Sequence, residues 1–482
     1  MSLSRRVVAG TTQLTLTNGV VRLLSVVTMP ILTGLLSPQA YGVATLVGTI
    51  ISLVSVIALA GIDMSYARAY HGTESASGSA AEHFCWRYSI GATLFAAALA
   101  VIGWQFLETE VAALGGWTGI VIALGIIFSV VHTMANTRAR LHSRYGATAW
   151  SIIIAGVASV ALSIGIAQWW RQDALALLIP MLLSYVIPAL MLGMPAFFEL
   201  ARPSILTRRE STGLIKIGVA GVVTAPMYWL LSFSDRWFLE HYQGIEAVGV
   251  YAIGYSVAIV GMILNTAIMA VWLPEATREY EDDPARARVT LGRLMGRIIV
   301  LMAIVWLAVA AAGGDLVRLL SNERFHAASE FVPYIAGAVF FNGVLHLGNA
   351  CLLLARQLRW AALWWLAGGV VCIVLNLILV PYYGGLGAAI TQTLSFALIS
   401  LAIVATAWFL IRFRLELARL AAALTVIAAF GVLLIPAWHA DALMSLAMKL
   451  PVGIVACLVT ARLIAPDWCV EGIDALRRIA LS

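Results

Sequence analysis

The chain has 482 residues, 62% of them apolar and only 11% charged, with 30 basic against 24 acidic side chains. Soluble globular chains carry roughly 25% charged residues, and a chain this long folded in water divides into domains whose outer faces stay polar. The composition therefore excludes an ordinary water-soluble protein and makes lipid the solvent for most of its surface.

A helix needs roughly 20 mainly apolar residues to cross a hydrocarbon core roughly 30 Å thick. Fourteen stretches are predicted to do so: 11–36, 41–68, 86–107, 117–136, 147–169, 175–198, 213–234, 247–272, 293–312, 331–354, 361–380, 385–411, 419–437 and 443–464. Arg5-Arg6 before the first apolar run resembles the start of a signal peptide. That run is long, contains Arg22 and lacks a small-x-small cleavage site, so it is read as the first span. With both termini cytoplasmic, every basic residue except Arg22, Arg171, Arg236, Arg318, Arg324 and Lys449 falls on the inner face. Acidic residues show no such bias, as the positive-inside rule expects. The net charge of +6 is thus a topology signal, and nucleic acid needs no place in the account. The outer connections are short, the longest running from about Gly313 to Glu330, and no soluble domain is inserted. The five cysteines form no CxxC pair and read as small apolar core residues.

A charge inside the membrane costs roughly 3 kcal/mol on insertion scales, so it normally faces protein or water. In the first span Thr11, Thr15, Asn18, Arg22 and Ser25 share one helical face, which suggests a wet cavity wall. Arg22 offers a permanently charged, planar donor fork to an anion. It can instead be structural, paired with Asp63 of the second span, whose inner end carries Arg68. In the seventh span Thr224, Tyr228, Leu231 and Asp235 share a face, with Lys216 at the inner end and Arg236 beside Asp235. That Asp-Arg pair is either a gate or an interfacial ion pair closing the outer turn, and an exposed pair contributes only ~0–1 kcal/mol. Tyr251, Tyr255, Met262, Asn265, Met269 and Trp272 line one face of the eighth span, a stripe for ring stacking or for plain packing. Lys216, Arg293 and Arg297 flank the inner mouth, as positive-inside residues or as a funnel for an anionic headgroup. Asn342, His346, Asn349 and Arg356 form a polar face on the tenth span, suited to hydroxyl recognition or to interhelical hydrogen bonds.

An internal repeat organises the spans. At an offset of 207, LTGLLSPQAYGV (Leu32–Val43) aligns with LEHYQGIEAVGV (Leu239–Val250), matching Leu32, Ala40, Gly42 and Val43 to Leu239, Ala247, Gly249 and Val250. Both segments occupy the outer turn between an odd span and the next even one, so the halves run in the same direction. Parallel repeats of this kind build transporters with a site between two bundles. The expected fold is all-α integral membrane, with about 14 transmembrane helices. Residues 1–212 form one six-helix lobe, 213–412 the other, and 413–482 add two helices and a tail.

The segment Leu214–Ile259, LIKIGVAGVVTAPMYWLLSFSDRWFLEHYQGIEAVGVYAIGYSVAI, resembles the seventh and eighth helices of bacterial polysaccharide flippases. These form the Wzx-like branch of the multidrug/oligosaccharidyl-lipid/polysaccharide exporter superfamily. Similarity extends to Asn18, Arg22, LLSPQAYGVATL, Ala60-Gly61-Ile62-Asp63 and Tyr66–Tyr70, and to Phe325–Ala338, covering nearly the whole length. The resemblance implies two lobes around a central cavity in the bacterial inner membrane. It implies undecaprenyl-pyrophosphate-linked oligosaccharide as substrate, flipped from the cytoplasmic to the periplasmic leaflet for polysaccharide biosynthesis, with coupling to ions or membrane potential. It implies no cofactor, with membrane lipids and polysaccharide polymerase or export proteins as partners.

Two other readings remain. A drug or metabolite efflux transporter of the same superfamily needs an intramembrane coupling carboxylate, for which Asp63 and Asp235 are the candidates. A polymerase or ligase acting on the same lipid-linked sugars needs sizeable outer loops. The chain has no GxxxxGK[ST], HExxH or GxSxG pattern and no Cys/His cluster, so the expectation is a transporter rather than an enzyme.

Overall fold

The computed structural model describes residues 13, 17–70, 75–104, 117–193, 206 and 208–464, and their regular structure is helical throughout. Lipid offers no partner for backbone N–H and C=O groups, so each crossing segment must satisfy them internally. In chain order the helices are α1 (Thr17–Val27), α2 (Met29–Leu35), α3 (Pro38–Leu59), α4 (Ile62–Tyr70), α5 (Ser75–Trp104) and α6 (Trp117–Leu141). They continue as α7 (Tyr145–Trp169), α8 (Leu175–Pro188), α9 (Arg208–Phe233), α10 (Asp235–Gln243), α11 (Ile245–Ala258) and α12 (Met262–Asp282). The last are α13 (Pro284–Leu320), α14 (Val332–Leu354), α15 (Leu358–Ile411), α16 (Leu417–Leu434) and α17 (Ala442–Ile464). A π-helical turn, Ala189–Gly193, prolongs α8.

Among the described residues, 11 helical stretches are long and apolar enough to cross a membrane, or 12 if the bent pair α1–α2 counts as one. One feature accounts for part of the difference from fourteen. Helix α15 has 54 residues, about 80 Å at the helical rise, far more than one crossing requires. Gly384 breaks it with φ 53° and ψ −130°, three residues after Pro381, so its two arms serve as the predicted eleventh and twelfth spans. Helix α9, the predicted seventh span, begins with Arg208, Arg209 and Glu210.

Other breaks also have local causes. Helices α1 and α2 meet at 42°. Pro30, in the first turn of α2, has no N–H to continue the ladder, and Thr28 Oγ1 donates to the carbonyls of Leu24 and Ser25 instead. Helix α3 starts where Ser37 accepts from Ala40 N at 3.2 Å, with Pro38 in the first turn. It stops at Ala60 and Gly61, both left-handed, which redirect the chain into α4. Asp283 caps α13 by accepting from Ala285 N and Arg286 N.

Contacts gather the chain into two compact units, residues 1–252 with 365–388, and 253–364 with 389–482. These follow backbone proximity, whereas the six-and-six division follows the sequence offset, and the two partitions cut the chain differently. The core of the first unit includes Tyr66, Cys85, Trp86 and Met134. In the second, Val300 and Leu307 of α13 pack against Ala423 and Ile427 of α16. Helices α16 and α17 are the least enclosed spans, 22% and 17% buried, while α14 reaches 61%.

The two copies of the repeated segment pack against each other within the first unit. A Cβ on Gly42 would strike the carbonyl of Ile245, and a Cβ on Gly249 would strike the carbonyl of Pro38. Pro38 and Ile245 are themselves 207 residues apart, as are Gly42 and Gly249. The contact is therefore reciprocal, in the way a two-fold axis makes one surface meet its own copy.

Candidate functional site

The polar cleft of the first unit lies among α1, α6, α7 and α8 and has a volume of ≈ 410 Å³. Helix α6 supplies its spine. His132, Asn136 and Arg140 stand four residues apart and so share one face. Asn18 of α1, Thr148 of α7 and Ser184 and Tyr185 of α8 add polar groups, between apolar walls that include Val21, Ile152 and Pro188. Gly156 lets α7 approach α1, since a Cβ there would lie 2.9 Å from the Val21 side chain.

The hydrogen-bond inventory of this cleft is specific. Asn136 Nδ2 donates to His132 Nε2 at 2.8 Å. The neutral ring then carries its proton on Nδ1. His132 Nδ1 and Asn136 Oδ1 are both buried without a protein partner among the described residues. Turning the amide over exchanges their roles and leaves the same complement of one donor and one acceptor. That complement fits a hydroxyl group, which both donates and accepts. Tyr185 meets the imidazole edge-on at 6.1 Å. Arg140, near the C-terminal end of α6, is exposed and donates to Thr137 Oγ1 at 3.4 Å. Among the described residues, no carboxylate lines the cleft.

Of the predicted cavity residues, Asn18 lines this cleft. Arg22 lies one turn further along α1, half-buried and with interactions of its own. The alternative reading, an Arg22–Asp63 ion pair, has no counterpart among the ion pairs of the described residues. Asp63 stands in the first turn of α4, just past the left-handed break at Ala60-Gly61. The side chains of Arg68 and Lys216 lie outside the described residues. Tyr228 is half-buried, edge-on to Trp365 at 6.1 Å.

Asp235 and Arg236 are not the exposed pair that the sequence suggests, being only 2% and 3% exposed. Arg236 Nη1 donates to Asp235 Oδ1 at 3.1 Å and to Ser232 O at 2.8 Å, and Tyr251 Oη donates to Asp235 Oδ2 at 2.6 Å. The guanidinium also stacks over Phe233. Trp237 Nε1 donates to Thr49 Oγ1, holding α10 on α3 and closing solvent away from the pair. Removing one member of a buried pair typically costs ~3–5 kcal/mol, which suits a keystone of the fold better than a contact that opens readily.

The remaining candidates belong to the second unit. Tyr255 is half-buried. Asn265 Nδ2 donates to Val339 O at 2.7 Å, tying α12 to α14. Both amide atoms of Asn342 and Oδ1 of Asn349 are buried without a partner among the described residues. His346 is half-buried between them on α14. Arg293 pairs with Glu416 at 3.2 Å, and Glu416 also holds Arg419 at 2.8 Å. Arg297 is half-buried.

His132, Asn136 and Tyr185 were absent from the predicted site. The four-residue spacing of His132, Asn136 and Arg140 within an apolar helix is the signal that identifies them.

Fold and cleft together define a polytopic, all-helical membrane protein of the kind found in flippases and multidrug transporters. Lipid II flippase MurJ in its inward closed conformation superposes with a TM-score of 0.72 at 10% identity, covering 94% of this chain and 99% of that one. An inward-facing multidrug resistance MATE family transporter of the MOP superfamily gives 0.59 at 13%, covering 82% and 98%. A MOP superfamily transporter from Pyrococcus furiosus, described as having a binding pocket of reverse polarity, gives 0.51 at 13%, covering 85% and 94%. At such identities the likeness is one of fold. No curated protein matches the chain by sequence. The chain belongs to the polysaccharide biosynthesis protein family Polysacc_synt_3, whose family model matches residues 31–330.

Proposed function

We propose that this protein flips an undecaprenyl-pyrophosphate-linked oligosaccharide from the cytoplasmic to the periplasmic leaflet of a bacterial inner membrane, with both its termini cytoplasmic. The observation that carries the reading is the cleft among α1, α6, α7 and α8. Its unpartnered donor and acceptor on His132 and Asn136 match a sugar hydroxyl, and among the described residues the one charged wall residue is cationic. Membership of a polysaccharide biosynthesis family and a fold shared with a lipid II flippase support the same cargo class. Arg22 and Arg140 attract the pyrophosphate, the cleft holds part of the saccharide, and the isoprenoid tail stays in lipid. The lobes, 1–212 and 213–412, rock about the substrate, while 413–482 ride outside. Such a change is driven only so far as the substrate binds the two states differently. Membrane potential adds ~2.3 kcal/mol per charge per 100 mV to the return.

The test is export of lipid-linked sugar in cells where this chain is the sole flippase. Asn136→Leu removes the amide and Arg22→Ala the guanidinium. Each is expected to lower export about tenfold, the scale of one lost charge-assisted or doubly used hydrogen bond. Normal export by both variants at wild-type abundance would falsify this reading. The MATE-like fold favours a second one, ion-coupled efflux of a drug or metabolite. That reading calls for an acidic cleft and for drug sensitivity in a deletion strain, and the basic wall favours the flippase.

A further inference from the structure

We propose that a second cleft, between α12 and α13, binds an aminophospholipid of the inner leaflet through its ammonium group. The proposal rests on the inner location of the α12–α13 turn, marked by Arg278, Arg286 and Arg288, and is independent of the cargo. The cleft has a volume of ≈ 490 Å³ and its chemistry changes along its length. Away from the turn its walls are aliphatic, with Ile268 and Val271 facing Leu294 and Ile298. Toward the turn they carry Glu275 and Glu279, one helical turn apart on α12.

Trp272 sits between these two zones. It is only 3% exposed, it lines the cleft, and its Nε1 has no partner among the described residues. A buried indole N–H calls for an acceptor. Glu275 makes no ion pair among the described residues. Glu279 has one at 3.7 Å, to Arg286, whose side chain is 77% exposed. An occupant must therefore offer a hydrocarbon chain, an oxygen acceptor about one turn below it, and a cationic donor below that. A phosphatidylethanolamine presents these in that order: acyl chain, ester or phosphate oxygen, ammonium. A soluble cation would leave the aliphatic walls uncovered. An anionic lipid would set its charge against two carboxylates.

The test uses the purified full-length protein in phosphatidylcholine nanodiscs doped with a photoactivatable lipid, and maps the labelled peptides. A phosphatidylethanolamine probe should label residues 267–298 about fivefold more than the matching phosphatidylglycerol probe, the scale of screened interfacial ion pairs. Glu275→Gln with Glu279→Gln should bring that ratio close to one. Trp272→Phe should reduce labelling by both probes while preserving the ratio. Equal labelling of the wild type by the two probes overturns the proposal, and this comparison does not depend on any variant folding. So does a ratio unchanged in the double variant. Displacement by a quaternary ammonium amphiphile as readily as by phosphatidylethanolamine also overturns it, because the site would then take any cationic amphiphile.

Discussion

Glu82 gathers three neighbours on one buried carboxylate in the first unit. Tyr66 Oη donates to it at 2.9 Å and Arg138 Nε at 2.6 Å, while His142 Nε2 lies at 4.0 Å. His142, just past the end of α6, has its imidazole held below the usual value. Burial is the largest cause; Glu82 pulls the other way, and Arg138 and Arg144 add to the lowering. The neutral ring is thus favoured by folding. Stability from it is complete above the ordinary histidine value of about 6.5 and is lost as pH falls below that. The partly exposed ring makes the effect small. The thermal midpoint in detergent should fall from pH 7 to 5 more steeply for wild type than for His142→Gln; parallel curves would remove His142 from the account. None of this grouping is visible in the sequence, where Glu82 and Arg138 are 56 residues apart. The cleft residues on α6 were half legible. Arg140 served only as a topology marker, although its spacing to Asn136 and His132 already put all three on one face.

Lys449 shows what is legible at the level of helices. It stands out in the sequence as one of the few basic residues off the inner face, and nothing local names its partner. In the fold it donates to Asp315 Oδ2 at 2.7 Å and to Ala311 O at 3.0 Å, while Ser445 Oγ donates to the same carboxylate. This pins α17, the most lipid-exposed span, to α13. Lys449→Met alone should destabilise the protein by ~3–5 kcal/mol, because Asp315 is left buried and unpaired. Adding Asp315→Leu should restore most of the loss, since an apolar replacement of the whole pair is often neutral. Thermal unfolding of the three variants decides it, and a double variant no better than Lys449→Met would show that the pair itself carries the stability. By contrast, the break within α15 was readable, because Pro381 and the glycines after it punctuate an otherwise continuous apolar run.

For the whole molecule, the all-helical fold was legible because lipid permits so few alternatives. The repeat rests on four identities at a constant offset. What escaped the sequence was that the two copies touch, since a pattern of offsets carries no distances. Gly42→Ala and Gly249→Ala should each cost about 1–3 kcal/mol, because a backbone carbonyl cannot step aside as a side chain can. Gly34→Ala, where an added Cβ meets nothing within 4 Å, is the control. If all three variants melt together, the two segments do not meet backbone against backbone.

That contact also imposes an order on biogenesis. Gly42 emerges from the ribosome 207 residues ahead of its counterpart, Gly249. At roughly 5–20 residues per second, the face prepared by the first copy waits about 10–40 s in the membrane before the helix that packs on it arrives. During that interval the early helices must be held by the insertion machinery or by lipid alone. The second copy then completes a surface left open since the start of synthesis.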